Sequence, residues 1–264
     1  MVNEIYTEDM EMRKIFVLFA VLLSSSVCMA QKWKVVDVER SRILIDSTYD
    51  APLDAETQAI FEPKRRFVDS VMSPVVGKAT CTMDTDRPEG TLSNLFPDVL
   101  VYAGRWYNEE VDFGVFNIGG IRASLLAGDI TVGDVYKMSP FDNKICFVTL
   151  SGDKVLELFQ QIIGRGGEGV SHSVRLVGDK QLKLISASIN GKKIDKKKSY
   201  RVATIDYVAQ GNNDMKAFLS GTDMNSPSGE NDNMRFVLVR YFKDLMSKGE
   251  SVCSEIEGRI KIEK

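Results

Sequence analysis

Arg122, Phe141 and Asn143 stand within one stretch, Asp112 to Asn143, and offer three different handles to a ligand. The alternating apolar run Val111-Phe113-Val115 reads as a strand about to be buried on at least one face. It runs into Asn117-Ile118-Gly119-Gly120, where two glycines let the backbone take positive φ or approach a ligand without an intervening Cβ. Arg122 follows, an always-charged planar guanidinium suited to a phosphate or carboxylate. The stretch closes on Ser139-Pro140-Phe141-Asp142-Asn143, an aromatic face and a bidentate amide beside a Pro that fixes the local backbone. Each feature alone has an ordinary reading: a glycine turn, a surface ion pair, a core ring. Together they supply an anion donor, a stacking face and an amide, the groups a nucleotide asks for.

The elements that must hold this stretch form a mixed series. One or two opening strands are expected around Trp33-Lys34 and Ile43-Leu44-Ile45, then a helix from Leu53 to Met72 with Asp54 as cap and Pro63 as a kink. Thr91 to Trp106 has helical spacing, with Leu92, Leu95, Val99 and Tyr102 along one side. A strand over 111–116 follows, and another from Lys144 to Leu150. Ser151-Gly152 turns into a helix from Asp153 to Ile163, whose apolar set is Val155, Leu156, Phe159, Ile162 and Ile163. Strands are expected around 173–177, 182–189 and 200–207, with Asn190-Gly191 as a hairpin turn. Met234 to Met246 closes the helices and Arg259 to Ile262 the strands. Strands in neither strict alternation with helices nor an all-β series favour an α+β class.

Residues 12–30 have the pattern of a secretory signal peptide: basic Arg13-Lys14, an apolar run from Ile15 to Val27, and a small-residue exit at Cys28-Met29-Ala30. The preceding eleven residues carry four acids and no base, so translation is expected to start at Met12 or Met10. The apolar run is shorter than the roughly 20 residues a membrane span needs, so no integral span is expected. Cleavage after Ala30 is favoured over a lipid anchor on Cys28, and residues 31–264 are read as a single domain in the periplasm or outside the cell. Residues 1–30 hold two of the 34 bases and four of the 37 acids, which leaves the rest at a net charge of about −1, no surface for nucleic acid. Cys81, Cys146 and Cys253 have no paired spacing; they read as small buried hydrophobes, with one disulfide possible in an oxidising compartment.

His172 is the sole histidine, which argues against a two-metal phosphatase centre or a Ser-His-Asp triad within these residues. The glycines of Gly164-Arg165-Gly166-Gly167 lack the Gly-Lys-Ser/Thr ending of a phosphate-cradling loop and follow a helix; they could form a pocket rim. The lysines between Lys192 and Lys198 read as a solvated hairpin tip.

Several motifs then coincide: Asn117-Ile118-Gly119-Gly120-Ile121-Arg122, Gly128-Asp129-Ile130-Thr131 with Gly133-Asp134-Val135-Tyr136, Pro140-Phe141-x-Asn143, Leu150-Ser151-Gly152, and Tyr200-Arg201-Val202-Ala203-Thr204-x-Asp206-Tyr207. In this order, from about Arg87 to the last helix, the chain resembles the C-terminal, substrate-binding domain of the 5′-nucleotidase / UDP-sugar hydrolase family. The resemblance implies a four-layer α/β/β/α sandwich with mixed sheets and a pocket for the nucleoside end of a nucleotide. Phe141 and Tyr207 match two aromatics that sandwich the base, and Asn143 the amide that hydrogen-bonds it. Asn117, Gly119 and Gly120 belong to the matching binding motif, Arg122 and Arg87 match arginines on the phosphate and ribose side, and Gly167 lies where a rim glycine is expected. The family's ribose-binding aspartate falls on Asn213, with Asp214 adjacent, and Thr91 stands where relatives commonly carry another arginine.

No stretch before Arg87 resembles the family's metallophosphoesterase half. The resemblance thus implies a specificity half, with no cofactor of its own, that acts beside a separate metallophosphoesterase chain holding divalent metals. The rival reading is a non-catalytic nucleoside-binding or interaction module.

Overall fold

The structure, a computed structural model, describes residues 34–47 and 54–263 and the isolated positions 13, 14 and 17. The expected leader falls outside the described residues apart from those three positions, as does Trp33. Residues up to Asp54 form one compact unit and Ala55–Lys264 a second. In the first, residues 34–47 are exposed and make no strand, contrary to the alternation of their apolar side chains. Alternation predicts a strand only where a neighbouring strand pairs the backbone, and these residues have none among those described.

The second unit opens with helix α1 (Ala55–Met72), which carries Pro63 inside it and buries none of its residues. Strand β1 (Val75–Ala79) follows, then helix α2 (Thr91–Ala103), on which Leu92, Leu95 and Val99 are buried as the spacing predicts. Strand β2 (Phe113–Phe116) is buried throughout. Strand β3 (Gly128–Thr131) pairs antiparallel with β1 and leads into helix α3 (Val132–Met138), started by a Thr131–Asp134 capping box. Strand β4 (Ile145–Ser151) precedes helix α4 (Gly152–Gly164), whose buried set contains Leu158 in place of the expected Leu156. Then come β5 (Gly169–Val170), β6 (Val174–Gly178), β7 (Leu184–Ile189), β8 (Lys192–Lys193) and β9 (Ser199–Ile205). The predicted Asn190-Gly191 turn joins β7 to β8, with φ of 49° and 72°. A short helix α5 (Asp206–Ala209), strand β10 (Thr222–Asn225), helix α6 (Met234–Ser247) and strand β11 (Ile260–Ile262) complete the unit.

The class is α+β with mixed sheets. One sheet has the order β10-β4-β9-β2-β5, with β2 parallel to β9 and the other pairs antiparallel. The second has the order β11-β6-β7-β8, with β11 parallel to β6. Helix α2 packs on β2, β5 and β9, while α4 touches both sheets. Phe159 of α4 lies 5.3 Å from Phe113 of β2 between ring centres. Cys81 and Cys253 form a disulfide across 172 residues of sequence, and Cys146 is a free, buried thiol.

Register places the site. Phe113 sits opposite Val202 in the parallel β2/β9 pair, and Ile145 opposite Ile205 in the antiparallel β4/β9 pair. The ends of β2 and β9 and the start of β4 therefore meet at one edge of the sheet. Asn117, Tyr207 and Asn143, each just beyond one of those strand ends, are brought together by pairing alone.

Candidate functional site

At that edge lies a cavity of about 300 Å³ lined by Asn117, Gly119, Gly120, Phe141, Asn143, Tyr207 and Asn213. Its lining thus combines two glycines and two aromatic rings with the amides of Asn117, Asn143 and Asn213, and holds no charged side chain. Phe141 and Tyr207 are 42 % and 39 % exposed, so each leaves a large part of its ring open to a ligand, unlike the fully buried core phenylalanines.

Each wall has its own support. Strand β9 ends at Ile205 instead of running to residue 207, and α5 begins with Asp206. The Asp206 carboxylate accepts the backbone N–H groups of Lys144 (3.1 Å) and Tyr207 (2.7 Å), which fixes the tyrosine's turn against the start of β4. Asn212 donates to the Tyr207 carbonyl at 2.8 Å. The Phe141 loop is held by the first turn of α6. Met234 N–H donates to the Asn143 carbonyl at 2.8 Å, Asn233 to the Asp142 carboxylate at 3.1 Å, and Arg235 to the Pro140 carbonyl at 3.0 Å.

The floor is the single 3₁₀ turn Ile118–Gly120 after β2. Neither glycine has positive φ, contrary to one expectation for the pair. Gly120 is closely packed: a Cβ there would stand 3.1 Å from the Asn117 side-chain oxygen and 3.0 Å from Phe116. Gly119 has nothing within 4 Å of its would-be Cβ, so its missing side chain leaves open space at the lining. Asn117 itself is 4 % exposed, and its side-chain oxygen has no hydrogen-bond partner.

The cations sit around this uncharged lining. The Arg122 guanidinium lies 5.4 Å from the Phe141 ring centre and donates to the Gly119 carbonyl at 3.3 Å. Among the described residues it pairs with no carboxylate. Arg87 is turned toward Glu168, to which it donates at 2.8 Å, and toward the Arg165 carbonyl at 3.0 Å. The same carboxylate accepts from Arg165, and that hydrogen bond holds the Arg165 guanidinium above its ordinary pKa.

Residues 75–220, more than half of the chain, fit the family model for the 5′-nucleotidase, C-terminal domain. The chain belongs to that family. Protein UshA of Salmonella pullorum is 29 % identical over 140 residues, covering 52 % of this chain and 25 % of UshA. The trifunctional nucleotide phosphoesterase protein YfkN of Bacillus subtilis strain 168 is 26 % identical over 253 residues, covering 86 % of this chain and 16 % of YfkN. The chain thus spans a quarter or less of the length of these two relatives. The crystal structure of a 5′-nucleotidase precursor from Thermus thermophilus has a TM-score of 0.67 at 23 % identity, over 82 % of this chain and 45 % of that one, a likeness of fold.

In this 5′-nucleotidase C-terminal domain the structure gathers Asn117, Gly119, Gly120, Phe141, Asn143, Tyr207 and Asn213 at one cavity. Four expected site residues are absent from that lining: Arg122, which donates to the Gly119 carbonyl beside it, and Gly167, Asp214 and Arg87. Gly167 is absent from the lining; at φ +109°, with a would-be Cβ 2.3 Å from the Pro88 carbonyl, it lets the Arg87-Pro88 loop close on the turn after α4. Asp214 is 76 % exposed at its side chain and pairs with Arg165 at 3.0 Å, so Asn213 alone of that pair reaches the cavity. Arg87 is absent from the lining and is paired with the buried Glu168 at 2.8 Å. Sequence reasoning passed over Asp206 and Glu168. The signal for Glu168 was an acid between Gly167 and the apolar Gly169-Val170, where burial demands partners.

Proposed function

We propose that this domain holds the nucleoside end of a nucleotide between Phe141 and Tyr207, with Arg122 and Arg87 on the phosphate side, and serves as the specificity half of a split 5′-nucleotidase. The observation that carries this is the orphaned Asn117 side-chain oxygen at the wall of an aromatic, uncharged cavity. A buried acceptor without a donor costs about 1–3 kcal/mol, and an N–H on the edge of a nucleobase relieves it. Two half-exposed rings beside it offer stacking worth about 1–3 kcal/mol per base. Asn143 adds donors and an acceptor, and Asn213, also in the lining, is assigned to the ribose by the family resemblance.

The reaction assigned to the pair is hydrolysis of the phosphate ester, with a separate metallophosphoesterase chain supplying divalent metals and the attacking water. The residues here do not fit a two-metal centre: the cavity offers amides and rings, and the one histidine of the sequence has its Nδ1 2.7 Å from Glu257 on the exposed surface. Among the described residues no group of three or more His, Cys, Asp or Glu is placed to hold a metal. We therefore assign the metals and the attacking water to the partner chain and substrate binding to this one. Export to the periplasm belongs to the same proposal. The leader pattern at residues 12–30 supports it, and a disulfide between Cys81 and Cys253 fits an oxidising compartment.

A second reading is nucleoside binding without catalysis, favoured by the fact that every lining residue comes from this one domain. Phosphate release from AMP with Mn²⁺ separates the two. The split enzyme predicts release only when a metallophosphoesterase chain from the same source is added. Release by this chain alone would overturn the assignment, and ligand binding without stimulation would leave the binding module.

A further inference from the structure

Strand β5 pairs with β2 so that Gly169 lies opposite Phe116 and Val170 opposite Val115. That register sets Glu168 beside the turn that forms the cavity floor. Its side chain is fully buried, and an ionised carboxylate there needs partners on every side. One oxygen accepts from Arg87 and from Arg165, both at 2.8 Å. The other accepts the Ile118 backbone N–H at 2.6 Å. Arg165 continues to Asp214 at 3.0 Å, next to the cavity residue Asn213. A single carboxylate thus joins the Arg87 loop, the glycine turn Ile118–Gly120 and, through Arg165, the Asn213–Asp214 corner. Cohesion alone does not call for this arrangement, since a well-packed apolar side chain commonly serves a buried position as well. What the ion pairs add is direction: they fix where Arg87 stands and where the glycine turn presents its backbone.

We infer that Glu168 is the positioning residue of the nucleotide pocket, setting Arg87 and the Ile118–Gly120 turn in the places that receive the phosphate side of the ligand. This rests on the nucleotide reading above. Arg87 gives Glu168 and the Arg165 carbonyl one N–H each, and its side chain is 37 % exposed, so further donors of its five remain for an anion.

The test pairs Glu168→Gln with Arg87→Ala and the double variant, measured by calorimetry with AMP and adenosine and by amide hydrogen exchange without ligand. Glu168→Gln removes the charge that orients two guanidinium groups while keeping the shape of the side chain. Expected are a loss of AMP affinity of about tenfold or more, the scale of a charged hydrogen bond, against less than about threefold for adenosine. In the Arg87→Ala background the same change should cost AMP binding less than it does in the wild type, because part of its effect acts through the Arg87 guanidinium. Exchange at the Ile118 amide should quicken in Glu168→Gln. Equal losses for both ligands, or losses that add to those of Arg87→Ala, would overturn the positioning role. Arg87→Lys keeps the charge but not the two-point anchor; should Glu168→Gln not fold, full AMP affinity in Arg87→Lys would overturn it equally. Wild-type protein that binds neither ligand defeats the nucleotide reading instead, and the Ile118 exchange rate still decides whether Glu168 holds the turn.

Discussion

Replacing Phe141 or Tyr207 by Ala should weaken nucleoside binding far more than it weakens the fold. Both rings are about two-fifths exposed and lie outside the buried cluster that runs from Val76 to Ile260, so their truncation opens no core cavity. Their contribution is to the ligand: base stacking of about 1–3 kcal/mol per ring corresponds to a loss of roughly 5- to 150-fold in affinity for each variant. The two differ in one respect. Phe141 also lies under the Arg122 guanidinium at 5.4 Å, a cation–π contact worth about 0.5–1 kcal/mol at an exposed site. Phe141→Ala frees that arginine, so AMP should lose more than adenosine, whereas Tyr207→Ala should affect the two ligands alike. Calorimetric titration of each variant with both ligands, beside thermal unfolding, reads all of these quantities. Unchanged affinity for both ligands in either variant, with the melting temperature held, would refute the stacking account.

Other outcomes follow from the same contacts. Gly167→Ala must place a methyl group against the Pro88 carbonyl at φ +109° and should cost about 2 kcal/mol or more in denaturant unfolding, whereas Gly119→Ala, with open space at its Cβ, should leave stability within about 0.5 kcal/mol and act on ligand binding. The Arg201 guanidinium beside Glu109 holds that carboxyl below its ordinary value of 4.5. Its contribution is complete above that pH and is lost as pH falls through the lower folded value, so Glu109→Gln should flatten the acid limb of a stability-versus-pH curve. Burial pushes the Cys146 thiol up to about 11, so it should resist alkylation at neutral pH in the folded protein and react after denaturation. Reducing Cys81–Cys253, or replacing both residues by Ser, should lower stability by about 2–4 kcal/mol, read as a shift of the unfolding midpoint.

Long periodic segments were legible in the sequence because their pattern is the burial itself. Leu92, Leu95 and Val99 predict the inner face of α2, and the Asn190-Gly191 pair predicts its hairpin. The lining residues Asn117, Phe141, Asn143 and Tyr207 were named by motif and by the family resemblance; the structure adds that each sits close to a strand end and that strand pairing brings those ends together. Some short elements were legible, such as β2 and β11, and others were not. The β1/β3 pair is held by its ladder and not by an apolar alternation, and residues 34–47 alternate without a partner among the described residues. The apolar pattern carries β9 on to Tyr207, but the turn that ends it earlier depends on Asp206 bonding to Lys144, a contact between distant residues. The roles of Gly167, Asp214 and Glu168 escaped for the same reason: each is defined by a neighbour dozens of residues away.

The account stands on Asn117, Phe141, Asn143 and Tyr207 meeting a nucleobase at one edge of the sheet. The direct measurement is an NMR titration of the isotope-labelled domain with adenosine, following the side-chain amide resonances of Asn117 and Asn143 and the ring signals of Phe141 and Tyr207. The account predicts saturable shifts at all four. Resonances at these residues that stay unmoved while adenosine saturates, whether through binding elsewhere or no binding at all, would contradict it.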